Sequence, residues 1–157
     1  MTEARYRIAT ESPLGPDVTM LMARHTADMH HDTPPESIHM MDASQLAVPS
    51  ISFYVMRDQG QPIGMGAFKR LGADHGEIKS MHVVSEYRGQ GLSRLMLDHL
   101  TAEAARAGLA RLSLETGSQA FFQPARKLYE RAGFVECAPF GDYVLDPNSV
   151  FMTRTLA

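Results

Sequence analysis

Between residues 78 and 100 the chain changes character twice, and that double change limits the folds open to it. Residues 78–84 (IKSMHVV) are apolar and β-branched, the composition of a strand. A short turn leads into Arg88-Gly89-Gln90-Gly91, and helical spacing begins at Leu92 and runs on through Leu100. The two glycines let backbone approach a ligand without interference from a Cβ. The helix start directly behind them offers unpaired N–H groups and the positive end of a dipole. A strand, a glycine turn and a helix in that order form a cradle for pyrophosphate. The unit should close as a right-handed crossover onto a parallel strand.

Residues 111–115 (RLSLE) supply that strand, alternating as a half-buried one would. The helix between them spans 92–107, with Leu92, Leu95, Met96, Leu100 and Ala104 as its expected buried stripe and Gly108 as its stop. The remaining elements read as follows. A strand covers 5–9 and a helix 14–28, opened by Pro13 and Pro16. After the break at 30–35, a short second helix covers 36–46 with Ile38, Met41 and Leu46 inward. Strands at 51–56 and 63–70 form a hairpin around the turn 58–62, and a third strand, 77–84, follows another turn. A helix at 124–132 stops at Gly133. Strands at 134–137 and 150–156 close the chain around a long loop, 138–149. The result is an α/β fold of about seven strands and four helices, mostly antiparallel, with one central parallel β-α-β unit. Ligands of such sheets bind at the carboxyl ends of strands where connections diverge, which is where residues 88–93 fall.

Composition narrows the class. The 157 residues suit a single domain, 1–157, with a sizeable core. A net charge of −3 argues against nucleic acid or an anionic membrane as partner. The single cysteine, Cys137, forbids an internal disulfide. With no apolar leader at the N-terminus and no spanning apolar run, a cytoplasmic protein is expected. His30, His31 and Asp32 lie close in sequence, but no regular element holds them in a ligand geometry, so no metal is expected.

The glycine turn is neither a dinucleotide fingerprint nor a P-loop. No third glycine falls in place, no acidic residue ends the following strand at the right interval, and no Gly-Lys-Ser/Thr follows. A second segment, residues 125–134 (ARKLYERAGF), lies at the distance that returns a helix to the same sheet edge. With both segments present the chain resembles the GNAT superfamily of N-acetyltransferases. Arg88-Gly89-Gln90-Gly91-Leu92-Ser93 is similar to that family's phosphate motif, with Ser93 at a place usually Gly or Ala. Residues 125–134 match its late motif, except that Phe122 stands where an Asn often precedes it.

That resemblance implies an acetyl-CoA-dependent N-acetyltransferase acting on a primary amine of a small molecule or peptide, by direct attack in a ternary complex. Backbone N–H groups of Gly89, Gln90, Gly91, Leu92 and Ser93 would hold the pyrophosphate, with Arg88 nearby. The pantetheine arm would pair like a false strand along Met81 to Val83 if the strands at 77–84 and 111–116 splay. An N–H near Met81 or His82 would bond the thioester carbonyl and its developing oxyanion. Tyr129 would be the general acid for the leaving thiolate. Glu77 aligns with a carboxylate that some members use as general base, and Glu115 competes for that role or contacts the substrate. His31 and His39 fall in the helical region that usually shapes the acceptor pocket. Homodimers paired through the last strands occur among such domains. The alternative is a non-catalytic acyl-CoA sensor or regulatory module, which would keep residues 88–93 and need no acid.

Overall fold

Strand β4 (His75–Val83) is the axis of the structure, because its two edges are used differently. In the computed structural model, which describes residues 5–31, 33–38 and 41–156, one edge of β4 pairs antiparallel with β3 (Gln61–Arg70) from Gly76 to Val83. The other edge pairs parallel with β5 (Arg111–Gly117) through His75, Gly76 and Glu77 alone. Beyond Glu77 the two strands part.

The remaining strands extend this pair. β1 (Tyr6–Thr10), β2 (Ile51–Asp58) and β3 form an antiparallel run on one side. β7 (Ser149–Thr155) and β6 (Val135–Cys137) continue antiparallel beyond β5, giving the seven-stranded order β1-β2-β3-β4-β5-β7-β6. Helices α1 (Thr19–Met29) and α2 (Ala43–Leu46) lie between β1 and β2 in sequence. Helix α3 (Leu92–Arg106) makes the crossover from β4 to β5, and α4 (Gln123–Arg131) follows β5.

A bulge in β4 sets which side chains share a face. Met65 pairs with His82 and Ala67 with Lys79, so β4 carries one more residue than β3 over that interval. Ser80 sits there with φ 56°, in the left-handed region that non-glycine residues rarely adopt. Residues 65, 67 and 69 of β3 point to one face, so their partners His82, Lys79 and Glu77 point there too. His82 meets His25 of α1 on that face. On the opposite face, Gly66 lies against Met96 and Leu100 of α3. Simple alternation without the bulge would send His82 away from Glu77.

Three local expectations are corrected. Helix α1 begins at Thr19, five residues later than the proline pattern suggested, because Gly15 and Pro16 first close a tight turn in which the Val18 N–H donates to the Gly15 carbonyl. The second helix is not continuous over 36–46. A single 3-10 turn, Pro35–Ser37, is followed by the one-turn α2, whose start is set by a capping box between Asp42 and Gln45. In α3, Leu97 is fully buried while Leu95 is 44% exposed. At about 100° per residue, the buried arc of Leu92, Met96, Leu100 and Ala104 has its centre about 80° from residue 97 and about 120° from residue 95, so 95 falls on the outer flank. The core otherwise forms as the patterning requires, with Val55, Met56, Met65, Met96, Leu100, Leu112 and Leu114 all essentially inaccessible.

Candidate active site

Where β4 and β5 part, a cavity of about 610 Å³ opens between them. At one end is the glycine turn. Gly89 and Gly91 have φ 81° and 78°, which an L side chain adopts only with strain. Gly91 is also the N-cap of α3 and brings no capping side chain, so the first-turn N–H groups face outward. Leu92, Ser93 and Arg94 line the cavity at that point. The residues present therefore fit a pyrophosphate: open backbone donors at the positive end of a 15-residue helix, with no Cβ in the approach.

Arg88 differs from its expected place beside the phosphates. Its Nε donates to the Val83 carbonyl at 3.0 Å and its other guanidinium nitrogen to Asp28 of α1 at 2.6 Å. The side chain braces the end of β4 against α1. Gln90 also turns back into the fold and accepts from the Tyr6 hydroxyl at 3.2 Å. The cradle is thus backbone in character, and its neighbouring side chains hold it in place. Tyr87, just before it, donates to Asp58 at 2.7 Å, and Asp58 takes two further bonds from Arg5.

Along the cleft, Met81, His82 and Val83 of β4 face the cavity, and β5 contributes Leu114, Glu115, Thr116 and Gly117. Gly117 is required for packing, since a Cβ there would lie 2.2 Å from the ring of Phe122. Phe122 thus fills the space beside Gly117 with an aromatic ring. Tyr129 of α4 is 7% exposed, lines the cavity, and packs edge-on to Phe134 with centroids 5.9 Å apart. Burial pushes its phenol up to about 12, and its hydroxyl has no hydrogen-bond partner among the described residues.

On the α1 face of β4 a second polar group assembles. Glu77, 4% exposed, accepts from the Tyr143 hydroxyl at 2.5 Å and pairs with Lys79 at 3.3 Å. Lys79 in turn donates to the Tyr143 oxygen at 2.8 Å. Nearer the glycine turn, His82 stacks edge-on to His25 at 5.4 Å, with its Nδ1 3.6 Å from Asp28. Burial, first of all, lowers both imidazoles to about 4, so both are neutral near pH 7. The buried Nε2 of His82 and hydroxyl of Ser80 have no hydrogen-bond partner among the described residues.

Of the expected substrate contacts, Glu115 borders the cavity and accepts from the Ser149 hydroxyl at 2.7 Å. His31 is exposed just beyond α1, its ring 4.5 Å from that of Phe121, a cavity residue. His39 lies outside the described residues. Sequence reasoning missed Tyr143 and Lys79. Lys79 carries no motif. Tyr143 lies in the 138–149 loop, where two aromatics, Phe140 and Tyr143, among Gly, Asp and Pro are the only signal.

A seven-stranded sheet that opens between β4 and β5 behind a helix-capped glycine turn defines an acyltransferase fold. Residues 19–134 match the model of the Acetyltransferase (GNAT) family, and the chain belongs to that family. It is similar to the uncharacterized N-acetyltransferase YsnE of Bacillus subtilis (strain 168), 46% identical over 90% of this chain and 94% of that protein. It is also similar to the IAA acetyltransferase of Azospirillum brasilense, 40% identical over 95% and 97% of the two chains. Among solved structures, a Klebsiella pneumoniae protein assigned as an acyl-CoA N-acyltransferase superposes with a TM-score of 0.79 at 28% identity, covering 97% and 98%. The chain is an acyltransferase enzyme of the N-acetyltransferase class, and the non-catalytic sensor gives way to that reading.

Proposed function

We propose that the enzyme transfers the acetyl group of acetyl-CoA to a primary amine by direct attack in a ternary complex, within a single domain covering residues 1–157. The observation that carries this reading is the shared cavity. The open helix N-terminus at Gly91, the unpaired β4 edge, the Tyr129 hydroxyl and the Glu77 carboxylate all border one space.

Bound acetyl-CoA supplies an activated acyl carbon and a thiolate leaving group. The backbone of residues 89–93 holds the pyrophosphate, and Met81 to Val83 offer an edge to the amide-bearing arm. Tyr129, kept protonated by burial, donates to the departing sulfur; the same burial raises the cost of a bare thiolate there and draws the proton across. Glu77 takes the proton released from the acceptor nitrogen as the N–C bond forms and the C–S bond breaks. The two transfers leave a phenolate and a neutral carboxyl, and one proton passing between them through solvent restores both groups. Asp28 and Glu115 border the cavity and favour a cationic acceptor, while Met29 and Met81 suit an apolar portion of it. His31, at the rim beside Phe121, contacts that acceptor.

The test is CoA release from acetyl-CoA over a panel of amines, followed by a pH–rate series on Glu77→Gln. The variant should be slowed most at low pH, where fewer acceptor amines are already deprotonated, and partly rescued as pH rises toward the amine's own pKa of about 10.4. A curve parallel to wild type with no loss of rate removes Glu77 as the base. His31→Ala should raise the acceptor KM and leave CoA affinity alone.

A further inference from the structure

Glu77 does not stand free in the cavity. Its carboxylate is gripped by a residue from its own strand and one from a loop 66 positions away in sequence. Tyr143 sits between β6 and β7, and its position is built with care. Its N–H donates to the Phe140 carbonyl, closing a turn. Its ring packs against Phe140 at 5.3 Å and Phe151 at 5.5 Å, and Phe140 reaches on to His75, two residues before Glu77. The Lys79 ammonium lies 5.5 Å from the centre of the same ring. The hydroxyl then donates to Glu77 and accepts from Lys79, so three side chains close a small ring of contacts.

We propose that Tyr143 and Lys79 are positioning residues for the acceptor proton: together they fix the Glu77 carboxylate in one rotamer and aim its remaining oxygen at the cavity. This rests on the reading of Glu77 as the base. A carboxylate that is 4% exposed needs partners for its buried oxygens, and it needs a fixed rotamer to meet a nitrogen arriving at the thioester. Lys79 supplies the charge and Tyr143 the direction. Other charged or titratable groups near Glu77 are Lys69, directly across on β3, His75 on its own strand, and Glu115 on β5, which acts on Tyr143. Neither lysine nor tyrosine needs to touch the acceptor for this role. The loop carrying Tyr143 thereby becomes part of the active site, although nothing else in it faces the chemistry.

The experiment measures CoA release from acetyl-CoA against pH for wild type, Tyr143→Phe, Lys79→Met, Lys79→Arg and Glu77→Gln. The acceptor is butylamine, which has no group of its own titrating below its amine; water is the nucleophile where butylamine adds no rate. Calorimetry with CoA confirms that each variant is folded. Tyr143→Phe keeps the aromatic packing and removes one hydrogen bond to a charged group, so kcat should fall roughly 10–100-fold with KM for acetyl-CoA unchanged. The acidic limb of its profile should move up in pH. Lys79→Met should move the limb further, by about one unit, because an adjacent cation favours the ionised carboxylate, and Lys79→Arg should restore it. An acidic limb at the wild-type position in both Tyr143→Phe and Lys79→Met overturns the proposal, whatever happens to kcat, because a merely structural role lowers the rate without moving the limb. If Glu77→Gln abolishes the limb in that case, the base assignment survives alone. If Glu77→Gln leaves the limb in place, base and positioning residues fall together.

Discussion

The glycine turn at one end of the cavity comes from six consecutive residues, 88–93, and works through backbone. The polar cluster along the α1 face of β4 draws on β4, α1 and the loop before β7, and works through side chains. The first needs only that a strand, two glycines and a helix succeed one another. The second exists only because a bulge at Ser80 turns Glu77, Lys79 and His82 to one face and because Tyr143 returns to meet them. A local motif should fail through local changes that leave the rest intact. An assembled cluster should fail through changes in packing, charge or pH at distant residues.

The largest expected effect is at the local end. Gly91→Glu places a charged side chain at φ 78° beside the helix start, so CoA binding should be lost altogether in a protein that still folds. Unchanged affinity by calorimetry would show that the pyrophosphate sits elsewhere. Next comes Tyr129→Phe, which should lower turnover by about 10²–10⁴-fold with CoA affinity nearly constant. Thermal stability should hardly change, since the hydroxyl has no hydrogen-bond partner among the described residues. Near-wild-type turnover, with chemistry shown to limit the rate, would dissociate the acid from this residue.

The assembled end should betray itself in acid. His25 and His82 are lowered to about 4 in the fold from an ordinary value near 6.5, so the stability that comes from keeping them neutral is fully present above that ordinary value. It is lost as pH falls toward 4, by on the order of 3 kcal/mol for each histidine. Urea unfolding at about pH 7 and about pH 4.5 measures it, and a His25→Phe, His82→Gln double variant should flatten the dependence. An equal loss in that variant would assign the acid sensitivity to the carboxylates. The smallest effect tests the border between the two regions. Because Arg88 is spent on Val83 and Asp28, Arg88→Ala should weaken CoA by less than about tenfold, within what one ordinary hydrogen bond contributes. A larger loss would return Arg88 to the phosphates.

What the sequence by itself determined is the class of the protein: the crossover, the glycine turn at a helix start, the helix that carries Tyr129 and the order of elements along the chain. Each rests on contiguous residues whose spacing, glycine content or period is a physical requirement of the element they form. The stop of α3 at Gly108 and the burial of Leu92, Met96, Leu100 and Ala104 were legible for the same reason. The capping box that starts α2 was also in the sequence, at Asp42 and Gln45, and was overridden by an apolar spacing that looked like one longer helix. Tertiary structure alone decided where β4 and β5 separate, which face Glu77 shares with His82, what Arg88 holds, and that Tyr143 closes on Glu77. Those outcomes depend on one inserted residue in a strand and on contacts across as many as 66 positions, and neither leaves a periodic trace along the chain.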